Sequence, residues 1–350
     1  MAIKEYYSVI DMDEAALCMD ELKAPWFHSK IVSQWVTDSF DRNNVERDLL
    51  AKLLIYLCNE KPNLLSHEQL LTGLGISLSS LEETVVDAPR APEFFGVIIG
   101  KLVVAEILSF AESARIIKEG GLEPGHLLEL GLALDVITSV LEFVRREKGE
   151  VAMTDMYRTS RLQLEDFMPC DKKQGEFEAF LEKKKLQFLY PLIPVENQIS
   201  EFLMQGQPVE QILKWVELNV PPPLQLEPEF LKMLTIQVLR CCVPRCTLDY
   251  EKDFKGKLVP YAPLLRHFAP SRHKQRHYIT AIQLFANELD HPVGLMTALF
   301  NNFYVDEVIL EDAYFSWQDD IEDTTPGKDK AIREVGKWLS WLTQAPETQN

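Results

Sequence analysis

FYVDEVILEDAYFSWQDDIEDTTPGKDKAIREVGKWLSWL, residues 303–342, is the stretch around which this chain is organised. Between Tyr304 and Gly327 it contains eight acidic residues and no Lys or Arg: Asp306, Glu307, Glu311, Asp312, Asp319, Asp320, Glu322 and Asp323. Aromatic residues lie between the acids, and a segment with Trp338 and Trp341 follows. Aromatic side chains can anchor helices to one another while carboxylates stay in water. The stretch therefore predicts a rigid, negative surface that attracts a partner rich in Lys and Arg.

The aromatic residues of this stretch also fit an interpretation that involves no partner. Aromatic side chains at helical spacing usually belong to a core, and we expect Phe315, Trp338 and Leu342 to be largely buried. Exposed acids need no partner in order to exist. The density of acids without a compensating cation still favours the docking of a basic protein, and nothing in the stretch resembles a reacting centre.

Outside this stretch, the composition is that of an acidic chain with ample material for packed cores. A length of 350 residues predicts two domains, and 46% of the residues are apolar. A formal net charge of −18 argues against direct binding of nucleic acid, because that binding depends on Lys and Arg neutralising phosphates. The N-terminus lacks the pattern of a signal peptide, and charges interrupt the most apolar runs. We therefore expect no membrane span and a cytosolic or nuclear setting.

Hydrophobic periodicity predicts helices along the whole chain. Apolar residues recur at steps of four and five in residues 26–40, and residues 45–57 repeat this stripe. The same pattern predicts helices at about 11–22, 66–86, 91–108, 110–119, 130–147, 150–159, 174–188, 195–205, 208–218, 228–242, 258–268, 275–289, 292–303, 304–318 and 328–344. No run alternates with period two for long enough to predict a strand. The fold prediction is an all-α protein: an α-solenoid of HEAT-like antiparallel helix pairs in two stacked domains, residues 1–190 and 194–350.

Cysteine and glycine patterns offer little support for an enzyme or a metal site. A zinc site could be arranged from a small set of residues: Cys241, Cys242, Cys246, His267, His273 and His277. Their spacing lacks the Cys-x2-Cys pair of structural zinc sites, so buried reduced thiols are the better interpretation. Residues 96–102 imitate a phosphate-binding loop but lack its Ser or Thr, and no Gly-x-Ser-x-Gly motif occurs. We expect no catalytic residue, metal or cofactor.

A second candidate site lies at LEETVVDAPRAP, residues 81–92. Glu83 and Asp87 are four residues apart, so both carboxylates point from one face of a helix. Pro89 disfavours helix in the residue before it and marks a turn there. A solvated acidic face beside a proline turn is the simplest interpretation. The functional alternative is an acidic pair that binds Arg or Lys of a partner.

The chain resembles a known family at these stretches. Residues 8–119, with DMDEAALCMDELKAPWFHSKIVSQWV and EETVVDAPRAP, are similar to an MA-3 domain. Residues 195–346, with DEVILEDAYFSW and GKWLSWL, resemble the W-2 domain shared by initiation factors 5, 2B-epsilon and 4 gamma. An MA-3-type domain with a C-terminal extension (1–190) followed by a W-2-type domain (194–350) is similar to the C-terminal part of eukaryotic translation initiation factor 4 gamma.

The resemblance implies a cytoplasmic, monomeric, non-enzymatic scaffold of translation initiation. It implies that Glu83, Asp87 and Pro89 contact the DEAD-box helicase initiation factor 4A. It also implies that the acidic surface docks a MAP-kinase-interacting kinase, through Asp306, Glu307, Glu311, Asp312, Asp319 and Asp320. The DAPRAP motif is closer to plant versions, for which those kinases are not expected. The lysine-rich tail of the beta subunit of initiation factor 2 is then an alternative partner.

Three other functions stay open at this point. The chain could be a decoy that inhibits the helicase, as the MA-3-containing tumour suppressor does. A small-molecule enzyme would require a deep pocket lined by His or Cys. Direct RNA binding would require residues 266–277 to gather with other cations. The family's middle helicase-binding domain and its cap-protein-binding peptide do not occur in this sequence, so we expect a fragment or a short isoform.

Overall fold

The structure is a computed structural model that describes residues 2–61, 64–169, 174–243, 247 and 249–344. Helices are its regular elements, and no strand occurs in these residues, so the all-α prediction is confirmed. Contacts divide the chain into two compact units, Met1–Tyr190 and Pro191–Asn350. In the described part of the chain, no helix is both long enough and apolar enough to cross a bilayer.

The first unit is a succession of helices, and capping residues mark where several of them begin. Asn43, Ser66 and Ser109 each begin a helix with a reciprocal capping box. The helices are α1 Ala2–Val9, α2 Met12–Glu21, α3 His28–Ser39, α4 Asn44–Glu60, α5 His67–Ser79, α6 Leu81–Asp87, α7 Ala91–Val104, α8 Phe110–Lys118, α9 His126–Glu129, α10 Leu132–Ser160 and α11 Gln174–Lys184. A 3-10 turn, Pro25–Phe27, joins α2 to α3.

Close packing of helix pairs forms the core of this unit. Helix α3 packs on α5, and α7 packs on α10. Glycine permits the closest approach in the second pair, because a Cβ at Gly96 would lie 2.5 Å from the carbonyl oxygen of Val136. The extended pattern predicted at 66–86 is divided in the structure, since α5 ends before Ser80 and α6 begins at Leu81.

The second unit continues the helical arrangement. Its helices are α12 Ile193–Met204, α13 Val209–Asn219, α14 Pro222–Gln225, α15 Pro228–Cys242, α16 Tyr250–Phe254, α17 Ala262–Phe268, α18 Arg272–Glu288, α19 Leu295–Val305, α20 Glu311–Gln318 and α21 Lys328–Gln344. Helix α15 packs on α18, and α18 packs in turn on α20. The helix pairs that the sequence predicts are therefore present in both units.

Aromatic rings fill the core where α19, α20 and α21 meet. Phe300 contacts Tyr314, Trp317 and Trp338, with ring centroids between 4.9 and 5.5 Å apart. Trp338 and Leu342 are buried, as expected. Phe315 is only half-buried, because the neighbouring Tyr314 and Trp317 occupy the face of α20 that points inward. The aromatic residues of the 303–342 stretch thus form core beneath its acids.

Candidate protein-docking surfaces

Helix α6 and the turn after it form an exposed corner, which we call the α6 corner (Glu83, Asp87 and Pro89). The backbone N–H of Ala88 donates to Thr84 O at 2.8 Å and closes the last turn of α6. The N–H of Ala91 then donates to Ala88 O at 2.9 Å, where α7 begins. All three side chains of the corner are exposed. Val86, between the two acids, is 81% exposed.

The two carboxylates of the α6 corner are available for a partner. Their neighbours pair within the chain: Glu82 accepts from His126 at 2.8 Å, and Glu93 forms an ion pair with Arg90 at 2.6 Å. Among the described residues, no Lys, Arg or His pairs with Glu83 or Asp87. A pair of unpaired acids beside an exposed valine can bind a guanidinium or ammonium group and the apolar stem that carries it.

The second surface is the acidic ridge, residues 306–323. Only some of its acids are unpaired, whereas the sequence predicts that all of them are. The expectation that its acids have no compensating cation is wrong for three of them. Arg272 pairs with Asp312 at 3.0 Å, and Lys328 pairs with Asp323 at 3.1 Å. Arg276 forms an ion pair with Asp320. Because α18 packs on α20, basic residues about 40 positions earlier in the chain reach the ridge.

The acids that remain available on the ridge are a subset of those predicted. Glu307 and Asp319 are exposed and Glu311 is half-buried, and no ion pair involves them among the described residues. Asp306 is half-buried, and its Oδ2 atom is buried without a hydrogen-bond partner. Burial raises the pKa of Asp306 above its usual range, although the nearby Arg266 guanidinium opposes that rise. Among the six acids predicted to bind a partner, access therefore favours Glu307, Glu311 and Asp319.

A buried ion pair fixes the loop that ends the ridge. The Lys328 ammonium donates to the Trp317 carbonyl oxygen and to Asp323, and it lies 3.9 Å from the centroid of the Trp317 ring. Burial opposes ionisation of Asp323, but hydrogen bonds from Thr325 and Lys328 outweigh it and lower the pKa of this carboxyl. Burial also lowers the pKa of the Lys328 ammonium. The ridge is thus held rigid from beneath.

Gln283 of α18 supports the same loop from the other side. Its side-chain carbonyl accepts from Trp317 Nε1 at 2.9 Å. Its amide group donates to the carbonyl oxygens of Thr325 and Pro326 at 3.0 and 2.9 Å. Sequence reasoning missed both Gln283 and Lys328 as supporting residues. A glutamine on an apolar helix face is a weak signal, and its partners lie 34 to 43 residues away.

The structure offers little for the enzyme and metal alternatives. Residues 2–61, 64–169, 174–243, 247 and 249–344 include no group of three or more His, Cys, Asp or Glu residues that could hold a metal ion. Cys246 of the candidate zinc cluster lies outside the described residues. A groove of about 690 Å³ in the second unit has Cys241 in its wall, but no histidine lines it. The Cys241 thiol therefore has no imidazole base in this groove.

The basic segment 272–277 also fails to form the cationic cluster that RNA binding would need. Its two arginines, Arg272 and Arg276, pair with Asp312 and Asp320. His273 and His277 contact each other edge to face, with ring centroids 5.6 Å apart. Burial lowers the pKa of His277, so this side chain adds no positive charge near neutral pH. The segment serves the packing of α18 on α20.

Comparison with known proteins matches both units to domain families. The MA3 domain model matches residues 1–109, and the model described as eIF4-gamma/eIF5/eIF2-epsilon, W2, matches residues 274–349. The "Eukaryotic translation initiation factor 4G" proteins of Triticum aestivum and Arabidopsis thaliana are each 47% identical, over 51% and 48% of this chain. The human "Eukaryotic translation initiation factor 4 gamma 2" is 23% identical over 99% of it.

The chain spans 12% of the length of the Triticum protein, 10% of the Arabidopsis protein and 39% of the human one. The similarity thus covers both units but only part of each relative. The resemblance stated from the sequence is confirmed: this chain, in which the MA3 match precedes the W2 match, is similar to the C-terminal part of initiation factor 4G.

Proposed function

We propose that this chain, given its similarity to the MA3 and W2 part of translation initiation factor 4G, is a non-enzymatic scaffold of translation initiation in the cytoplasm. The similarity supports the process and the kind of protein. The two exposed surfaces support the mode of action, since each presents fixed carboxylates to a cationic protein. No cofactor enters this proposal.

The first unit binds the DEAD-box helicase initiation factor 4A through the α6 corner. The observation that carries this proposal is that Glu83 and Asp87 stay unpaired among the described residues while their neighbours Glu82 and Glu93 are paired. Side chains four residues apart on a helix are about 5–6 Å apart, which lets both carboxylates engage one Arg or two adjacent cations. Pro89 fixes the turn that exposes them.

The test is the affinity of purified helicase for Asp87→Lys and Glu83→Lys variants. Each reversal should weaken binding at least about tenfold, because it replaces attraction with like-charge repulsion. Thermal stability should hardly change, since both side chains are exposed and unpaired. Glu150→Lys, at another exposed helical position of the same unit, is the matched control. Wild-type affinity in both corner variants would refute this assignment.

A helicase activity assay distinguishes the scaffold from the alternative function. Stimulation or an unchanged rate on addition of this chain supports a scaffold. Strong inhibition that the Asp87→Lys variant relieves would instead identify a decoy that uses the same α6 corner.

The second unit docks a basic partner on the acidic ridge. In this proposal Glu307, Glu311 and Asp319 make the contacts, while Asp306, Asp312 and Asp320 of the predicted set shape and orient the surface. The partner is a MAP-kinase-interacting kinase or, as the alternative, the lysine-rich tail of the beta subunit of initiation factor 2. The match of this unit to a W2 model supports a role in protein docking, and the unpaired acids of the ridge support a basic partner.

A further inference from the structure

An apolar surface on the first unit has no part in either proposed contact. It runs from the outer face of α2 to the 3-10 turn Pro25–Phe27. Four large apolar side chains are exposed within eleven residues: Leu17 by 51%, Leu22 by 55%, Trp26 by 82% and Phe27 by 45%. We call this surface the Trp26 face. An exposed tryptophan is unusual, because tryptophan side chains most often lie in a core or an interface.

The backbone that carries Trp26 is firmly held. The N–H of Phe27 donates to Ala24 O at 2.9 Å, and the side-chain amide of Gln69 donates to Pro25 O at 2.8 Å. The next residue, His28, is buried, and its Nδ1 lies 2.7 Å from Leu64 O. The Trp26 indole therefore extends from a backbone segment that hydrogen bonds hold in place. Preorganised anchors of this kind lose little conformational entropy when a partner covers them.

Acidic residues lie beside the apolar side chains of α2, and the one cation between Leu22 and Trp26, Lys23, pairs with Asp20 at 3.4 Å. Glu5, Glu14 and Glu21 all lie close enough to Cys18 to raise the pKa of its thiol, although burial contributes more to that rise. Glu14 and Glu21 lie three and four positions from Leu17 on one face of α2, and Glu5 belongs to the preceding helix α1. Among the described residues none of them forms an ion pair. The outer face of α2 thus combines apolar side chains with free carboxylates.

Other residues of α2 make contacts within the fold. Asp13 accepts from the Tyr56 hydroxyl at 2.5 Å and pairs with Lys61 at 3.3 Å. Ala15, Ala16 and Met19 are buried. Glu14, Leu17 and Glu21 recur at helical steps of three and four on the opposite side. The division leaves the outer face of α2 exposed, and the turn that carries Trp26 follows this helix directly in the chain.

We propose that the Trp26 face docks an amphipathic helical segment of another protein, one with apolar anchors flanked by Lys and Arg. The negative charge of the Trp26 face favours a basic helix over a second copy of this chain or an anionic lipid surface. A second copy of this chain would bring a further −18 net charge to an acidic face, and anionic lipid headgroups would be repelled in the same way. A basic amphipathic helix instead satisfies the acids while its apolar side covers Leu17, Leu22 and Trp26.

The test uses the full chain and a synthetic helical peptide of about 20 residues made of Leu and Lys, with its leucines at helical steps of three and four. NMR spectra of the chain should show an indole N–H signal for each of its six tryptophans. A Trp26→Phe variant assigns the Trp26 signal. Peptide binding should shift this signal, and Trp26→Ala should weaken the affinity at least about tenfold. Glu14→Lys combined with Glu21→Lys should also weaken it.

Two controls separate this docking from simple charge attraction. A peptide of the same composition in scrambled order should bind the chain more weakly, since it cannot present one apolar face. Leu122→Ala, which removes a side chain that is 73% exposed elsewhere in the unit, should bind like the wild type. No binding, an unmoved Trp26 signal at saturation, or equal affinity of Trp26→Ala would overturn the proposal. A Trp26 signal that shifts with chain concentration alone would do so as well, because it would identify a second copy as the occupant.

Discussion

Lys328 is the residue on which the shape of the acidic ridge depends most directly. Its side chain and that of Asp323 are each only 9% exposed. A buried ammonium is tolerated only where other groups replace its water, and here a carboxylate, a carbonyl oxygen and the Trp317 ring do so. Removing one member of such a buried pair leaves the other charge without compensation.

Lys328→Met should therefore lower the free energy of unfolding by about 3 kcal/mol, because Asp323 would stay buried and unpaired. Urea denaturation followed by tryptophan fluorescence measures this change. Lys330→Met is the matched control, since Lys330 pairs with Asp290 at an exposed position. That variant should change stability by about 0.5 kcal/mol or less. Equal effects of the two substitutions would contradict the role given to the buried pair.

Asp306 is a residue whose charge lowers the stability of the fold at neutral pH. Its pKa is raised in the folded protein, so the native state holds this proton more tightly than the unfolded chain does. The associated stability is present at low pH and is lost as pH rises from the ordinary aspartate pKa through the raised one. At neutral pH the half-buried carboxylate therefore destabilises the fold.

Asp306→Asn should be more stable than the wild type at neutral pH, by about half a kcal/mol once solvent screening is considered. The gain should disappear in acid, below the ordinary aspartate pKa, where the wild-type carboxyl is protonated as well. Thermal unfolding of both proteins across this pH range measures the difference. A gain that is the same at every pH would show that the Asp306 charge is not its source.

At the scale of elements, the packing of α18 on α20 divides the acids of the ridge into two groups. Asp312 and Asp320 pair with arginines of α18, whereas Glu307 and Asp319 extend from loops and carry no pair among the described residues. The first group joins two helices. The second is left for a partner, so the two groups should respond differently to neutralisation.

Glu307→Gln with Asp319→Asn should weaken the binding of a lysine-rich peptide several-fold and leave the melting temperature unchanged. Asp320→Asn should instead lower the free energy of unfolding by about 1 kcal/mol, because its partner Arg276 is partly buried. Titration calorimetry and thermal unfolding separate the two outcomes. A loss of stability in the first variant, or none in the second, would contradict this division.

The helical elements were largely predictable from sequence, whereas the ion pairs between them were not. The helix predicted at 228–242 is Pro228–Cys242, and the one at 328–344 is Lys328–Gln344. Apolar periodicity is local, so it determines such elements directly. Helix α1 was missed, because eight residues show too little of the pattern. The contact of Arg272 with Asp312 joins residues 40 apart, and only tertiary packing brings them together.

At the scale of the whole molecule, charge predicts the kind of partner and local pairing decides where it binds. A chain with 54 acidic and 36 basic residues attracts cationic proteins and repels copies of itself. Many of its acids are engaged by neighbouring lysines, arginines and histidines. The α6 corner and part of the ridge are not, among the residues described. The exposure of Glu83 and Asp87 agrees with the sequence interpretation, since a proline-marked turn keeps that corner at the surface.

Helix α10 has one further consequence, which concerns how this sequence can change over time. Gly149 interrupts the helix with φ 83° and ψ 169°, a backbone conformation that essentially only glycine adopts. Beyond it, Tyr157 bonds to Tyr190 at 2.7 Å and supports the end of the unit. Lys148 and Glu150 can be substituted with little effect on stability, because both side chains are exposed. Position 149 should retain glycine because of its backbone conformation, although no atom lies within 4 Å of the place where a Cβ would be.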